Sequence, residues 1–331
     1  MKFLIAGFGS IGRRHFRNLL TLGQKDILFL RSFKSTLETD ELDGFVVETE
    51  LDKALAHRPD AVIITNPTAL HLDIAIPAAR QGCNLFFEKP ISDSLEHIDQ
   101  LKATLESGGG QAMTGFQFRF HPGLQKIKEL ISGKVVGNLV ACCAHWGEFL
   151  PAWHPWEDYR QSYSAKKDLG GGVVLTLSHP LDYVHWLLGD AESLWSFIAQ
   201  VPTLEIETEA VAEIGIRFTQ GVVASIHLNY IQHPPVHKLE LIGDQGTIRW
   251  DNASGSVELY QRETNLWQSY PTPAGFDRND MFLAEMQHFI DCVQKQKTPV
   301  CTLEDGIYTQ KLVNAVYQSA IEERIIKFHG N

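Results

Sequence analysis

Three short stretches hold side chains whose types and spacing can do chemistry. The first is Glu88-Lys89-Pro90, which closes the apolar run at 84–87. A carboxylate and an ammonium do not belong inside a buried strand, so the strand must stop there and present them at its end. The second is Gly170-Gly171-Gly172, followed by an apolar helical pattern that carries His179 and Asp182. Residues three apart share a helix face, so this imidazole and carboxylate can approach one another. A near-neutral imidazole suits the transfer of a hydroxyl proton, and a desolvated lysine can share that transfer because burial lowers its pKa. The third is Gly7-Phe8-Gly9-Ser10-Ile11-Gly12 near the chain start.

The elements that must position these groups follow from periodicity. An apolar strand at 2–6 runs into the glycines, and a helical pattern from 11 to about 22 ends at Gly23. In that setting Gly7 permits a tight turn, Gly9 lets backbone approach a pyrophosphate, and Gly12 lets helix and strand pack closely. Amides at Ser10 and Ile11 begin the helix and face the anion. The next strand, 26–32, ends in Arg31 and Ser32 with Lys34 close behind. Dinucleotide folds that select NAD place an acid there, whereas a guanidinium pairs with a 2′-phosphate. The expectation is NADP(H) in preference to NAD(H). Further strands at 45–50 and 59–67 alternate with helices at 51–58 and from about 68, the latter interrupted by Pro77. The run 84–90 is then another parallel strand, and Glu88 and Lys89 lie on the rim where such sheets bind ligands.

The second half changes character. Alternating apolar and polar residues at 138–150, 194–201, 209–219, 221–231, 237–244 and 246–252 predict antiparallel strands with tight turns such as Gly243-Asp244-Gln245-Gly246. Helical segments frame them near 122–132, 173–188, 279–296 and 304–322. The fold class expected is α/β plus α+β: a doubly wound parallel sheet over 1–118, then an open, mostly antiparallel sheet with helices on one face over 119–331. Just before the helix of His179 lies a polar-aromatic loop containing Trp153, Trp156, Tyr159, Arg160, Tyr163 and Lys166. Ring faces and directional donors suit a sugar or an acidic or phosphorylated derivative, and an interdomain or subunit contact is the competing reading. Arg119 is a candidate for the ligand or for closing the crossover between domains.

Composition bounds the partners. The 331-residue chain has a formal net charge of −11, which gives no general pull toward nucleic acid or an anionic membrane. No run reaches the roughly 20 apolar residues of a membrane span. Five cysteines without a C-x-x-C pattern indicate neither a zinc site nor a disulfide framework, adjacent Cys142 and Cys143 in an alternating apolar run read as buried free thiols, and no helix-borne pair supports a metal. A cytoplasmic protein is expected.

"GFGSIGRRH", "TNPTALH" and "EKP", with "QAMTGFQFRFHP" and "LEDGIYTQKLVNAVYQSA" further on, resemble the Gfo/Idh/MocA family of glucose–fructose oxidoreductases and inositol dehydrogenases. The resemblance implies that Asn66, Pro67, His71 and Glu88 line the cofactor and that Lys89 lies beside the nicotinamide ribose and the substrate, with a cis bond to Pro90. It implies that His179 is the general acid or base and that a sheet face joins copies into a homodimer or homotetramer. The family pattern places an aspartate four residues before this histidine. Here Leu175 stands there with Thr176 beside it, so Thr176 is a substrate candidate and Asp182 the candidate to orient His179. The implied activity is hydride transfer on a carbohydrate-like secondary alcohol or ketone. Alternatives are redox-assisted elimination or glycoside cleavage, or a regulator that binds NADP without turnover.

Overall fold

The computed structural model describes residues 1–32 and 40–328, so Lys34 lies outside the described residues. Two compact units emerge: Met1–Gln117 with Asp168–Gly170 and Arg278–Gln310, and Phe118–Lys167 with Gly171–Asp277 and Lys311–Asn331.

In the first unit, chain order is β1 (Lys2–Ala6), α1 (Ser10–Thr21), β2 (Asp26–Leu30), β3 (Val46–Glu48), α2 (Leu51–Ala56), β4 (Ala61–Ile64), α3 (His71–Arg80), β5 (Asn84–Glu88), α4 (Ile98–Gly108) and β6 (Ala112–Gly115). All strand pairs are parallel, in the order β3-β2-β1-β4-β5-β6. The strands read as unbroken apolar runs because both faces are covered. Leu4, Val62, Ile64, Leu85 and Phe87 pack with Ala75, Ala78 and Leu101 on one side. Phe29 meets Phe8, Phe16 and Phe45 edge-on, at centroid distances from 5.0 to 5.8 Å. Strand order reverses between β1 and β4, and their carboxyl ends form the crevice where doubly wound sheets take ligands.

The second unit contains α5 (Pro122–Ser132), β7 (Leu139–Phe149), α6 (Val173–Thr176), α7 (His179–Leu188), β8 (Ala191–Ala199), β9 (Val211–Phe218), β10 (Val223–Asn229), β11 (Ile231–Gly243), β12 (Gly246–Asp251), β13 (Val257–Gln261) and β14 (Leu266–Tyr270). After α8 (Arg278–Val293) and α9 (Leu303–Glu322), β15 (Ile326–Lys327) completes a nine-stranded sheet, ordered β14-β13-β12-β11-β7-β10-β9-β8-β15. β7 and β10 pair in parallel and every other neighbour is antiparallel. Alternation is clean: Ala212, Ile214, Ile216 and Phe218 are buried while Glu213 and Arg217 are not. Trp195 opposes Gly215 in the β8–β9 register, and a Cβ on that glycine would run into the Trp195 ring. The ring therefore lies across β9 on the exposed sheet face.

Two departures from the sequence-based expectation have simple causes. The helix expected over 173–188 is broken into α6 and α7. Pro180 has no amide proton to give the carbonyl of Thr176, so a continuous helix cannot pass. The span 278–310, expected in a second domain that began at 119, clusters instead with the first unit. Its Phe282 and Phe289 cover the dinucleotide sheet, with Phe289 5.4 Å from Phe86 and Phe282 6.2 Å from His15. No helix among the described residues is long and apolar enough to cross a membrane.

The close packing at the glycine turn makes a testable demand. A Cβ on Gly12 would lie 2.5 Å from the Gly7 carbonyl oxygen and 2.8 Å from Thr65 Oγ1. Gly12→Ala should cost about 1–3 kcal/mol through overpacking. Chemical denaturation followed by circular dichroism would show the loss as a lower midpoint, and an unchanged midpoint would contradict this packing.

Candidate active site and cofactor cradle

The cradle is built at the end of β1. Gly7 has φ +98°, and a Cβ there would sit 2.7 Å from the Asn66 amide nitrogen, so only glycine lets the ends of β1 and β4 come this close. Thr65 Oγ1 donates toward the carbonyls of Ala6 and Gly7, both at 3.0 Å, and fixes that approach from the side. Gly9, by contrast, has nothing within 4 Å of where its Cβ would be. It is the N-cap of the 12-residue α1, with no side-chain cap and no acid in the first turn. Open space before uncapped helix amides fits a dinucleotide pyrophosphate, held by backbone at Gly9, exposed Ser10 and Ile11.

Arg31 follows β2, its backbone N–H bonded to the Glu48 carbonyl at 2.9 Å. Its side chain is buried, and burial, then the nearby charge of Arg13, lowers its pKa. Ser32 is exposed beside it. Asn66 uses its side-chain amide on the Leu70 carbonyl at 2.9 Å, and Pro67 opens the short turn that precedes α3. His71 is not at the surface of the cradle. It is 1% exposed and donates from Nε2 to the Asn66 carbonyl at 2.9 Å. Burial lowers its pKa more than the surrounding carbonyls of Asn66, Pro90 and Ile91 raise it, so it supports the turn as a neutral ring.

Glu88 likewise holds protein rather than facing solvent. It accepts from His15 Nε2 at 2.7 Å with one oxygen and from the Lys89 amide at 3.2 Å with the other. His15, fully buried on α1, went unnoticed in the sequence, where it follows two arginines and looks like a solvated helix residue. The pair ties α1 to the Glu88-Lys89-Pro90 turn. The Lys89–Pro90 peptide is cis. Desolvation lowers the Lys89 pKa to about 8, Glu88 opposing and Arg278 assisting the shift.

In the second unit, His179 opens α7 and is 2% exposed. Its ring lies 4.9 Å from Phe118 edge-on and 5.4 Å from Trp146 nearly stacked. Asp182, expected to orient it, forms a bidentate ion pair with Arg119. Arg119 Nη2 and Nε donate to the carboxylate at 2.7 and 3.1 Å, and both side chains are about 1% exposed. A desolvated guanidinium needs a carboxylate beside it, and Asp182 supplies one to Arg119. Arg119 and Asp182 are a structural pair.

Thr176 is buried next to the Tyr230 hydroxyl, which donates to the Gly172 carbonyl at 2.9 Å. A group missed in the sequence is Glu209, whose Oε1 accepts from Val174 N–H at 3.1 Å and from Tyr317 O–H at 2.9 Å. Burial raises its pKa. A Cβ on Gly172 (φ +112°) would run into this carboxylate, which explains the third glycine. No local signal in "ETEAVAEIG" marks Glu209. Of the aromatic loop, Trp153 donates to Glu148 at 3.1 Å and Tyr159 to the Leu204 carbonyl at 3.0 Å. Arg160 is paired with Asp158 and Glu205, at 2.9 and 2.6 Å, while Tyr163 and Trp156 are exposed. Trp153, Tyr159 and Arg160 are thus held in place by polar contacts within the second unit.

Comparison with known proteins decides the lineage. Residues 1–116 match the family model described as oxidoreductase family, NAD-binding Rossmann fold, and residues 128–328 match its C-terminal alpha/beta domain. The chain belongs to the Gfo/Idh/MocA oxidoreductase family. Among its relatives, scyllo-inositol 2-dehydrogenase (NAD(+)) of Bacillus subtilis is 27% identical over 90% of this chain and 87% of its own. Myo-inositol 2-dehydrogenase of Thermotoga maritima is 24% identical over 99% and 98%. Among solved structures, the WlbA dehydrogenase from Bordetella pertussis in complex with NADH and UDP-GlcNAcA is 20% identical, covers 100% of this chain and 99% of that one, and superposes with a TM-score of 0.83. That likeness shows the shared fold. Nicotinamide-cofactor binding is a property this chain has with its family.

Two substitutions test the struts. Asp182→Ala leaves the buried Arg119 charge without its carboxylate and should cost about 3–5 kcal/mol in denaturant unfolding. His15→Ala should lower the affinity for reduced nicotinamide dinucleotide, read by its fluorescence. Equal affinity would show that the Glu88 turn stands without His15.

Proposed function

We propose that the chain is an NAD(P)-dependent dehydrogenase or reductase acting on a carbohydrate-like secondary alcohol or ketone, with NADP(H) favoured over NAD(H). The observation that carries this is Lys89: an ammonium poised near neutrality on a turn fixed to the cofactor helix through Glu88 and His15. The inositol dehydrogenases among the relatives support the substrate class. Arg31 in place of an acid after β2 supports the cofactor preference.

The nicotinamide, when bound, supplies the hydride acceptor or donor. The rest falls to the chain. Backbone at Gly9, Ser10 and Ile11 binds the pyrophosphate, and Arg31 meets the 2′-phosphate. With a pKa of about 8, roughly one Lys89 in ten is neutral at pH 7. That neutral amine takes the hydroxyl proton as an alcohol is oxidised, and the ammonium returns it in the reverse direction. His179 is proposed as the second proton-handling group, and Thr176, Trp153, Tyr159, Arg160 and Tyr163 as the segment that sets substrate choice. The protein is proposed to be cytoplasmic and to assemble as a homodimer or homotetramer through the exposed sheet face that carries Trp195 and Phe197, 44% and 71% exposed.

Absorbance of reduced nicotinamide during a screen of inositols, aldoses and sugar acids would find the substrate. Alcohol oxidation should rise with pH and level off above about 8, since the base is the neutral amine. Lys89→Met should lower kcat by a factor of about 100 to 10,000 with cofactor affinity retained. Cofactor binding with no turnover on any of these compounds would instead favour a regulator.

A further inference from the structure

A carboxylate from the segment after β2 sits between two arginines of α1. Glu41 accepts from Arg13 Nη1 at 2.8 Å and from Arg17 Nε and Nη2 at 2.8 and 2.7 Å. Its place is fixed by packing: Leu42 beside it is 7% exposed, and Phe45 stands edge-on to Phe16 and Phe29 at 5.1 and 5.8 Å. Arg13 reaches the same spot from α1, its guanidinium 4.9 Å above the ring of Phe8 within the glycine turn. Arg31 feels the charge of Arg13. The hydrogen bond from Arg17, then the two arginine charges, hold the Glu41 carboxyl below the usual range.

Two guanidiniums engaged by one fork-shaped anion form the kind of contact that a phosphate monoester makes with arginine. We propose that Glu41 is an intramolecular occupant of the 2′-phosphate subsite, competing for Arg13 and Arg17 and thereby setting how strongly the chain discriminates NADP(H) from NAD(H). The inference rests on the proposed cofactor reading and deepens it. A carboxylate in this position repels a dianionic 2′-phosphate, and a phosphate that enters must take over the arginines that Glu41 holds. A plain 2′-hydroxyl meets neither cost. Discrimination is then a difference between two anions at one set of donors, rather than the result of Arg31 alone.

The test is a pair of binding titrations on the full chain, with NADPH and NADH followed by their own fluorescence at low and moderate salt. Glu41→Gln keeps the shape and removes the charge. Glu41→Ala, checked for an unchanged thermal midpoint, controls for new amide bonds. NADPH affinity should rise by about fivefold or more in both variants at low salt, less so at moderate salt, while NADH affinity stays within about twofold. Equal shifts for the two cofactors, or no shift, would overturn the proposal. A loss of NADH affinity alone would also overturn it, since Glu41 would then be the acceptor for the ribose hydroxyl. If the unsubstituted chain bound neither cofactor, the dinucleotide reading itself would fall, an outcome separable from all the others.

Discussion

The hydrogen bond between His15 and Glu88 is the constraint on which the cradle depends. It joins a helix whose amino end is proposed to face the cofactor phosphates to a strand whose last residues include the proposed proton carrier. In a low-dielectric interior such a bond is electrostatically strong and expensive to break, because neither group can turn to water instead. Glu88 also takes the Lys89 amide, so the backbone of Lys89 has its position set by the helix. The Nε2 of His71 does comparable work beneath Asn66, and Thr65 does so above Ala6 and Gly7. Three strand ends are thus pinned by buried side-chain hydrogen bonds. A cradle prepared in this way has little ordering entropy left to lose when a cofactor arrives.

In the second unit several buried polar groups meet across distant segments. Arg119 has Asp182, Glu209 has Val174 and Tyr317, and Tyr230 has Gly172. The turn that leads into α6 is thus fixed by Glu209 just before β9, by Tyr230 between β10 and β11, and by Tyr317 of α9. His179 stands in an aromatic wall of Phe118 and Trp146, and Trp146 also stacks on His237 at 4.2 Å. Such walls give an imidazole few orientations.

What could be read from the sequence follows the range of the interactions. Strands of the parallel sheet announce themselves as apolar runs, and the glycines of the first turn have a local reason that a short motif preserves. The open face of the second sheet is legible because its period is two. The hairpin of β13 and β14 was not, since "VELYQRETNLWQSY" lies at a sheet edge and buries only Val257 and Leu259. Arg119 and Asp182 look like chemistry in one dimension because charge is rare beside apolar helix residues. Only the pairing across 63 positions shows that they neutralise one another. His15 and Glu209 are the converse. Nothing near them in the chain hints that they are buried and bonded.

The return of Arg278–Gln310 to the first unit bears on how the chain can be cut. A fragment ending at Gln117 would keep every strand of the parallel sheet but lose Phe282, Phe289 and Ile307, which close its two faces. Phe86 and His15 would then meet water, and an isolated N-terminal piece should be sticky and short-lived. The coenzyme half of this molecule is a discontinuous object, completed only once the ribosome has passed the opposite half.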